Sequence, residues 1–392
     1  MPKPSAPPLS FNRQGPFYRL QRALGLISDD SLRVGRRAVL FVTLAWLPAV
    51  LLALLQGVAV NAQHERALLF DFSVYAFVLA IAAFVLMEQS SDKRMAWLVS
   101  QFIARDIVSP SARAGFVQAR QNMERRTASP LAEGLILLAA YAMAWEWLQI
   151  GAQRIEGGTW YGRIVDGSVQ PTLAGWWTLL VALPLFWFLL GRWLWRFITW
   201  GLLLRDIARC ELRLVATHPD RCGGIAFIGQ YPKTYLMFVF ALSSVVAAGV
   251  LKSVVYAGAS LLSFKFALMG LIAFLVVAFV VPLAAFAPVL IALKREGLSR
   301  YGSLVSQHHL AFEARWVDGD PPRSDPLGSP DMSSLADLSA AYELVSSMQT
   351  VPVTKASIVP LVLAALVPLV AVAMTRMPFK AIVDSVKGLL LL

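Results

Sequence analysis

The chain has 392 residues, of which 57% are hydrophobic and 15% charged, and its mean hydropathy is +0.62. This composition excludes an ordinary soluble domain and is typical of a multi-pass membrane protein. The formal net charge of +11 does not require nucleic acid, because anionic lipid headgroups attract the same basic side chains. We therefore expect membrane lipids, and no nucleic acid, as the partner.

The N-terminal stretch MPKPSAPPLSFNRQGPFYRL contains proline and arginine but no apolar core as long as that of a cleavable signal peptide. We expect this stretch to be retained as a short disordered lead. Residues 1–37 as a whole are predicted to be a cytoplasmic lead with an amphipathic segment.

Seven apolar stretches are long enough to be transmembrane helices, because about 20 apolar residues cross about 30 Å of hydrocarbon. They lack the alternation of a membrane β-barrel, so the predicted fold class is all-α, a polytopic transmembrane helical bundle. The seventh stretch contains two prolines, and a re-entrant hairpin there would leave six spans. The stretches are 38–60, 68–88, 131–150, 173–190, 234–251, 266–293 and 356–375.

The distribution of Lys and Arg predicts the orientation of the bundle. With the N-terminus in the cytoplasm, 27 of the 35 basic residues fall on cytoplasmic segments and 8 on the opposite side. Because basic loops are retained in the cytoplasm during insertion, we expect this orientation, with the C-terminus in the periplasm if seven spans form. Residues 358–392 are predicted to hold the last span and an interfacial tail.

The six-span part of the bundle, residues 38–293, is predicted to carry two long cytoplasmic helices. Residues 89–130 have apolar side chains at helical spacing, and residues 191–231 keep that period to about residue 216. Residues 294–357 contain a loop rich in Pro and Gly, followed by a helix with an apolar stripe. We expect this stripe to pack on the protein itself, with Asp331 or Ser333 as the N-cap of its helix.

Four segments carry a resemblance to a known family. They are GLISDDSLRVGRRAVLFVTLAWLP, LAGWWTLLVALPLFWFLLGRWLWR, LRLVATHPDRCGGIAF and SPDMSSLADLSAAYELV. The chain resembles a family of bacterial polytopic inner-membrane proteins that carry an HPDR-x-GG segment and to which no activity is assigned. The resemblance implies a location in the bacterial inner membrane and no particular ligand. In that family the position of Cys222 is often alanine, which implies that a thiolate there is not required.

The segment HPDRCGG, residues 218–224, is the densest group of reactive side chains in the sequence. His218, Asp220 and Cys222 are ligand types for zinc or another transition metal. Their spacing matches no established ligand pattern, and a Pro-Asp pair before Gly-Gly is more typical of a turn. We therefore predict neither a metal nor another cofactor, with this ligand set as the alternative.

Two other interpretations of the segment use its backbone. Gly223 and Gly224 would let successive N–H groups converge on an anion, with Arg221 as a charged donor. In the favoured interpretation the segment is a turn after a helix that ends near residue 217. Asp220 would then bracket the turn, and Gly223 or Gly224 would adopt the positive φ that reverses the chain.

Ionisable residues near the apolar stretches are the other candidates, because a charge is costly to bury in lipid. Asp71 lies one turn into the second predicted span, Glu133 near the start of the third, and Glu146 near its end between two tryptophans. Lys252 and Lys265 flank a short outer loop, where they would attract anions or simply mark the membrane boundary.

Two function classes fit the sequence. Motifs typical of enzymes, such as G-x-S-x-G, H-E-x-x-H and the phosphate loop, do not occur, so we expect no enzymatic activity. The first class is a channel or carrier for a small solute or ion, with an anion slightly favoured by the basic cytoplasmic side. The alternative is a non-transporting sensor or scaffold that docks a cytoplasmic partner, and a homo-oligomer fits either class. A water-filled path lined by Ser243, Ser244, Tyr141 or Glu146 would select transport.

Overall fold

The structure is a computed structural model, and it describes residues 10, 12–28, 31–60, 67–153, 159–165, 168–256, 258–318 and 329–375. Within these ranges, seven helical stretches are long and apolar enough to cross a membrane. The protein is therefore an all-α polytopic membrane bundle, as its composition predicts. The α-helices are α1 (Pro16–Ala23), α2 (Val34–Leu55), α3 (Phe72–Ala104), α4 (Arg113–Thr127), α5 (Pro130–Gln153), α6 (Leu173–Trp177), α7 (Leu183–Ala208), α8 (Leu236–Tyr256), α9 (Lys265–Val280), α10 (Ala287–Trp316), α11 (Pro330–Ser346) and α12 (Lys355–Ala373).

Shorter elements connect these helices. Strands β1 (Gly162–Val165) and β2 (Ser168–Pro171) form an antiparallel hairpin between α5 and α6. A π-helical turn, Thr178–Ala182, joins α6 to α7, so that the three form one span. Three 3₁₀ segments lie next to α8, α9 and α10, and they are Ala226–Tyr235, Leu261–Phe264 and Val281–Phe286.

Helix α3 is the centre of the bundle, and it packs against α2, α7 and α8. Its Phe84 ring lies 5.9 Å from that of Phe186 in α7 and 5.3 Å from that of Phe238 in α8. All three rings are buried. Because lipid tails are as apolar as these side chains, close packing rather than exclusion of water holds such helices together.

The structure bears on three features of the sequence prediction. The predicted cytoplasmic helix at 89–130 is two helices, because α3 continues from the second span to Ala104 and α4 covers Arg113–Thr127. Helix α12 runs through both of its prolines from Lys355 to Ala373, so the re-entrant alternative is wrong. Disorder at the N-terminus is wrong from residue 12 onward, because Asn12 and Gln21 are buried.

The predicted cytoplasmic helix over residues 191–231 is helical only as far as Ala208, where α7 ends, so the predicted helix end near residue 217 is wrong. The following segment pairs with the chain that leaves α3. The N–H of Arg213 donates to the Ile107 carbonyl (2.7 Å), and the N–H of Ser109 donates to the Glu211 carbonyl (3.3 Å). These long-range backbone bonds replace the helical ones, so the helical period of the sequence does not decide the local structure.

Helices α10 and α11 form an antiparallel hairpin. The apolar stripe of α11 packs on the protein itself, which confirms that prediction. The predicted N-cap is wrong, because the Ser329 hydroxyl accepts from the N–H of Asp331 (3.3 Å), while the Asp331 carboxylate accepts from Trp316 Nε1 (3.1 Å). The stripe consists of the half-buried Leu335, Leu338 and Tyr342 and the buried Val345.

Three predictions fall outside the described residues. They concern the lead before residue 10, the middle of the polar loop at 319–328, and the tail at 376–392. The amphipathic character expected for the N-terminal segment is visible in α1, whose described residues pack at one end of the bundle.

Candidate functional site

Two clusters of buried polar residues lie at opposite ends of the apolar first half of α3. The Glu88 cluster is centred on Glu88, and the Asp71 cluster is centred on Asp71, the residue before the first turn of the helix. At 1.5 Å per residue the two carboxylates are about 26 Å apart along the helix axis, and no charged residue lies between them in the sequence. This separation is close to the thickness of the hydrocarbon layer, about 30 Å, so the clusters fit its two boundaries.

Glu88 is buried between two guanidinium groups. Its Oε2 accepts a hydrogen bond from Arg37 Nη1 of α2 (2.6 Å), and its Oε1 accepts one from Arg196 Nη2 of α7 (3.1 Å). None of the three side chains is more than 4% exposed. Because an unpaired buried charge is strongly destabilising, the two arginines depend on Glu88 and Glu88 depends on them.

Glu133 connects α5 to the same cluster. Its Oε1 lies 3.1 Å from Arg192 Nη1 of α7, and its Oε2 accepts from the backbone N–H of Phe17 (2.7 Å). The Arg192 guanidinium also lies 4.6 Å from the centre of the Phe17 ring. Glu133 therefore lies in the first turn of its helix, as predicted, but it is buried against two other elements.

Polar side chains of the N-terminal segment complete the Glu88 cluster. Asn12 Nδ2 donates to the Glu88 carbonyl (2.9 Å) and to Asp92 Oδ1 (2.7 Å). Gln21 Oε1 accepts from Arg37 Nε (2.5 Å). Since Asn12 and Gln21 are each 3% exposed, the segment covers this end of the bundle.

The chain makes a close approach to the cluster at Gly15. Its φ is 95°, and a Cβ on this residue would lie 2.7 Å from Glu133 Oε1. The next turn places the Phe17 ring 6.1 Å from that of Phe41 and 5.0 Å from that of Phe188. Glycine is therefore required here by both conformation and space.

Asp71 has local and distant partners. It is the N-cap of α3, with Oδ1 accepting from the N–H of Ser73 (3.0 Å). Its Oδ2 accepts from Trp160 Nε1 (3.0 Å) and from Lys252 Nζ of α8 (2.9 Å). Asp71 thus precedes its helix instead of lying one turn inside it as predicted. Lys252, predicted to attract anions or mark the boundary, is its ion-pair partner.

An apolar cleft extends from the Asp71 cluster into the bundle. The space between its walls is about 500 Å³ when the part open to its surroundings is counted. It reaches Ile81, about 15 Å along α3 from Asp71. Of the residues that line it, Asp71 alone is ionisable. The lining residues are Ala45, Ala49, Leu68, Asp71, Ser73, Val74, Phe77, Val78, Ile81, Trp147, Trp160, Thr178, Ala182 and Leu183.

One wall of the cleft is the π-helical turn before α7. Pro184 has no N–H to donate to the Leu180 carbonyl four residues earlier. The Tyr141 hydroxyl of α5 lies 3.3 Å from that carbonyl and donates to it instead. Such turns are rare and are found frequently at functional sites.

The HPDRCGG segment folds as a turn. Gly223 and Gly224 have φ values of 66° and 101°, which confirms the conformation predicted for them. Arg221 also has a positive φ, 57°, and its carbonyl accepts from the N–H of Gln349 (2.7 Å). A Cβ on Gly223 would lie 3.0 Å from Leu293 of α10, so the turn joins the α10–α11 hairpin to the bundle.

Backbone N–H groups in this turn point at Asp220 instead of at an external anion. Its carboxylate accepts from the N–H groups of Cys222 (2.9 Å), Gly224 (3.0 Å) and Ala226 (3.0 Å). His218 Nδ1 lies 2.8 Å from Oδ1. Burial raises the pKa of Asp220, but these backbone bonds and His218 outweigh it and hold the pKa below the ordinary 3.8. The Asp220 carboxylate therefore takes the position at which an external anion would accept from these N–H groups.

Cys222 is fully buried, and its Sγ lies 3.7 Å from Gln349 Oε1. Burial, with a smaller contribution from Asp220, raises the pKa of the thiol to about 11, so the thiol is protonated at neutral pH. His218 and Asp220 face each other, whereas Cys222 faces Gln349, so the three do not converge as metal ligands. In the described ranges no three His, Cys, Asp or Glu side chains form such a group.

The remaining predicted residues do not share one path. Glu146 and Tyr141 lie on the exposed surface of α5, and Ser243 is buried in α8. Ser244 donates to a carbonyl of its own helix (2.8 Å). Lys265 is exposed, with its Nζ 4.8 Å from the centre of the Phe266 ring.

The sequence prediction missed four buried charged residues of the candidate site, Arg37, Glu88, Arg192 and Arg196. They lie at or just beyond the predicted span ends, where charged residues are ordinary. The available signal was the spacing of Arg192 and Arg196, which places both on one face of a helix that is otherwise apolar and aromatic.

Comparison with known proteins found no matching family model, no matching curated protein and no matching solved structure. The function of the chain is therefore inferred from the geometry of its two clusters and of the cleft between them.

Proposed function

We propose that the protein is a carrier for a small solute in the bacterial inner membrane, with the cleft as its solute site. The observation that carries this proposal is that α2, α3, α5 and the α6–α7 span form the cleft at one end and the Glu88 cluster at the other. A carrier needs a site that opens to one side while the opposite side is closed. In this proposal the cleft is the site that opens to one side, and the Glu88 cluster closes the opposite side.

The Glu88 cluster is suited to be the closed end. Its ion pairs tie α3 to α2 and α7, and the pair of Glu133 and Arg192 adds α5. Ile81, at the inner end of the cleft, is about 10 Å from Glu88 along α3. Ion pairs have two discrete arrangements, joined or separated and hydrated, so they suit a conformational change between two states.

A carrier accounts for this geometry better than a channel. Beyond Ile81 the bundle interior is filled by packed rings such as Phe84 and Phe186, so the described cleft does not continue as a pore. The lining has a carboxylate as its ionisable group, which gives no support to the anion preference expected from the net charge.

We propose that the Glu88 end faces the cytoplasm and its anionic lipids, since the basic segments of the sequence lie on that side. The native cysteines test this orientation. Cys210 is partly exposed, whereas Cys222 is buried with a raised pKa. An impermeant maleimide should label Cys210 in lysed but not intact cells and leave Cys222 unlabelled in folded protein. Labelling of Cys210 in intact cells would reverse the orientation.

The alternative function is a sensor or scaffold that does not transport. The α10–α11 hairpin supports it, because the hairpin is held together and is in contact with the bundle. Lys294 Nζ of α10 donates to the Met348 carbonyl (2.8 Å), and the 218–224 turn packs between the hairpin and the bundle. In this case ligand binding in the cleft would change the hairpin without opening the Glu88 end.

The two functions differ in whether the cleft can be reached from both sides. We would place Ala182→Cys, at a half-buried residue that lines the cleft, in a background with Cys210→Ser and Cys222→Ala, and reconstitute it in vesicles. An impermeant maleimide should modify it from the Asp71 side in the parent. With Glu88→Gln added, it should react from the Glu88 side as well.

A cysteine at Leu304, which is 50% exposed on α10, is the matched control and should react only from the Glu88 side in both backgrounds. If Ala182→Cys never reacts from that side, with or without Glu88→Gln, the carrier proposal fails and the sensor or scaffold replaces it.

A further inference from the structure

We infer that the cleft takes lipophilic cations, meaning a single positive centre surrounded by apolar or aromatic groups. The inference rests on the proposed function, because it names the solute class of the same site. It follows from three features of the cleft: the chemistry of its walls, the charge at its Asp71 end, and the unequal exposure of the two ions of the Asp71 cluster.

The walls of the cleft exclude a hydrated ion. Apart from Asp71, polar groups in the lining are few, and the hydroxyl of Thr178 already donates to a carbonyl of its own helix (2.8 Å). A small ion would therefore lose its water without gaining enough oxygen partners. The rings of Phe77, Trp147 and Trp160 line the same space, and aromatic faces attract cations.

The charge at the Asp71 end of the cleft selects a cation over an anion. Asp71 accepts three hydrogen bonds, from Ser73, Trp160 and Lys252, and a carboxylate offers about four acceptor positions. An anion entering the cleft would face this carboxylate. The neighbouring ammonium group is already paired with it, so it compensates an entering anion poorly.

Lys252 is the partner that a cation can replace. Its side chain is 24% exposed, whereas that of Asp71 is 1% exposed. A lysine near a membrane boundary can extend its ammonium group toward headgroups and water. A lipophilic cation would then pair with Asp71 in its place, and the buried carboxylate would stay compensated throughout the exchange.

The test uses two ions of matched size and opposite charge, tetraphenylphosphonium and tetraphenylborate. Binding to purified protein in nanodiscs would be measured by equilibrium dialysis, with empty nanodiscs subtracted. We expect saturable binding of the phosphonium ion, at least about tenfold tighter than that of the borate ion. Equal or tighter binding of the borate ion would overturn the inference.

Two substitutions of the ion pair sharpen the test. Asp71→Asn should weaken phosphonium binding by about tenfold, and the fold should persist because asparagine is as good an N-cap as aspartate. Lys252→Met removes the competing ammonium group and should tighten binding by about threefold. Unchanged affinity in Asp71→Asn would contradict the inference.

Two further variants locate the site. Ala49→Phe fills the cleft without changing its charge and should abolish saturable binding, while its melting temperature reports whether the fold is kept. Lys265→Met removes an exposed lysine outside the cleft and should leave binding unchanged. Binding that survives Ala49→Phe in folded protein would place the ion elsewhere and overturn the inference.

Uptake into vesicles is measured separately, so that the two proposals can fail independently. Saturable phosphonium binding without uptake would support the lipophilic-cation site and contradict the carrier. Accessibility of the cleft from both sides without phosphonium binding would support the carrier and contradict the solute class.

Discussion

The Glu88 and Asp71 clusters are each built on a carboxylate at one end of the apolar part of α3, and they differ in their cations. The arginines that bind Glu88 are no more than 4% exposed, whereas Lys252 is 24% exposed beside Asp71. When a buried guanidinium loses its carboxylate partner, no water can take the place of that partner. An ammonium group at the membrane boundary can be hydrated instead. The comparison indicates that one cluster fastens helices together and the other can exchange its partner.

The largest effect should follow the loss of the central carboxylate of the Glu88 cluster. Glu88→Leu leaves Arg37 and Arg196 buried without their acceptor, and we expect a loss of about 3–5 kcal/mol in the free energy of unfolding. Glu88→Gln should cost less, because its amide oxygen still accepts a hydrogen bond. Unfolding of the purified variants in detergent measures both. Equal stability of Glu88→Leu and the parent would show that the cluster does not hold the helices together.

Asp220 provides a carboxylate outside both clusters. Asp220→Ala should cost about 1–3 kcal/mol, because three backbone N–H groups lose a charged acceptor. The pKa of Asp220 is lowered in the folded protein, so its contribution is full above the ordinary value of 3.8 and is lost as the pH falls through the folded-state pKa. The stability difference between parent and variant should therefore shrink at low pH. A difference independent of pH would contradict the ionic role of Asp220.

The cover over the Glu88 cluster can be tested at Gly15. Gly15→Ala adds a Cβ 2.7 Å from Glu133 Oε1 at a φ of 95°, and we expect it to cost about 1–3 kcal/mol. Gly25→Ala is the matched control, since Gly25 also has a positive φ, 68°, but nothing within 4 Å of the added atom. Melting temperatures should fall further for Gly15→Ala. Equal losses would show that the contact with Glu133 adds nothing to the backbone strain.

The smallest effect should come from the exchangeable partner. Lys252→Met removes a partly exposed cation, while the buried Asp71 carboxylate keeps its hydrogen bonds from Ser73 and Trp160. The loss in the free energy of unfolding should therefore be about 1 kcal/mol, the contribution of one hydrogen bond. The same unfolding assay measures it. A loss as large as that of Glu88→Leu would show that the Asp71 cluster also holds helices together. It would contradict the exchange of Lys252 for another cation.

The sequence by itself determined the local features of the protein. Seven membrane helices follow from the length of the apolar stretches, because the number of residues that cross the hydrocarbon is set by helix geometry alone. The positive φ of Gly223 and Gly224 follows from Pro219 and the absence of a Cβ, which are properties of the segment itself. The apolar stripe of α11 likewise follows from the period of one helix.

Only the tertiary structure decided which residues meet. Asp71 and Lys252 are 181 residues apart, and the partners of Glu88 come from α2 and α7. In lipid all apolar helix faces are nearly equivalent, so hydropathy does not specify neighbours, and side-chain packing and polar contacts select them. The end of α7 at Ala208 has the same origin, since the bonds of Arg213 and Ser109 that replace its last turns come from a distant segment. Helix propensity is a local preference, and these long-range backbone bonds override it.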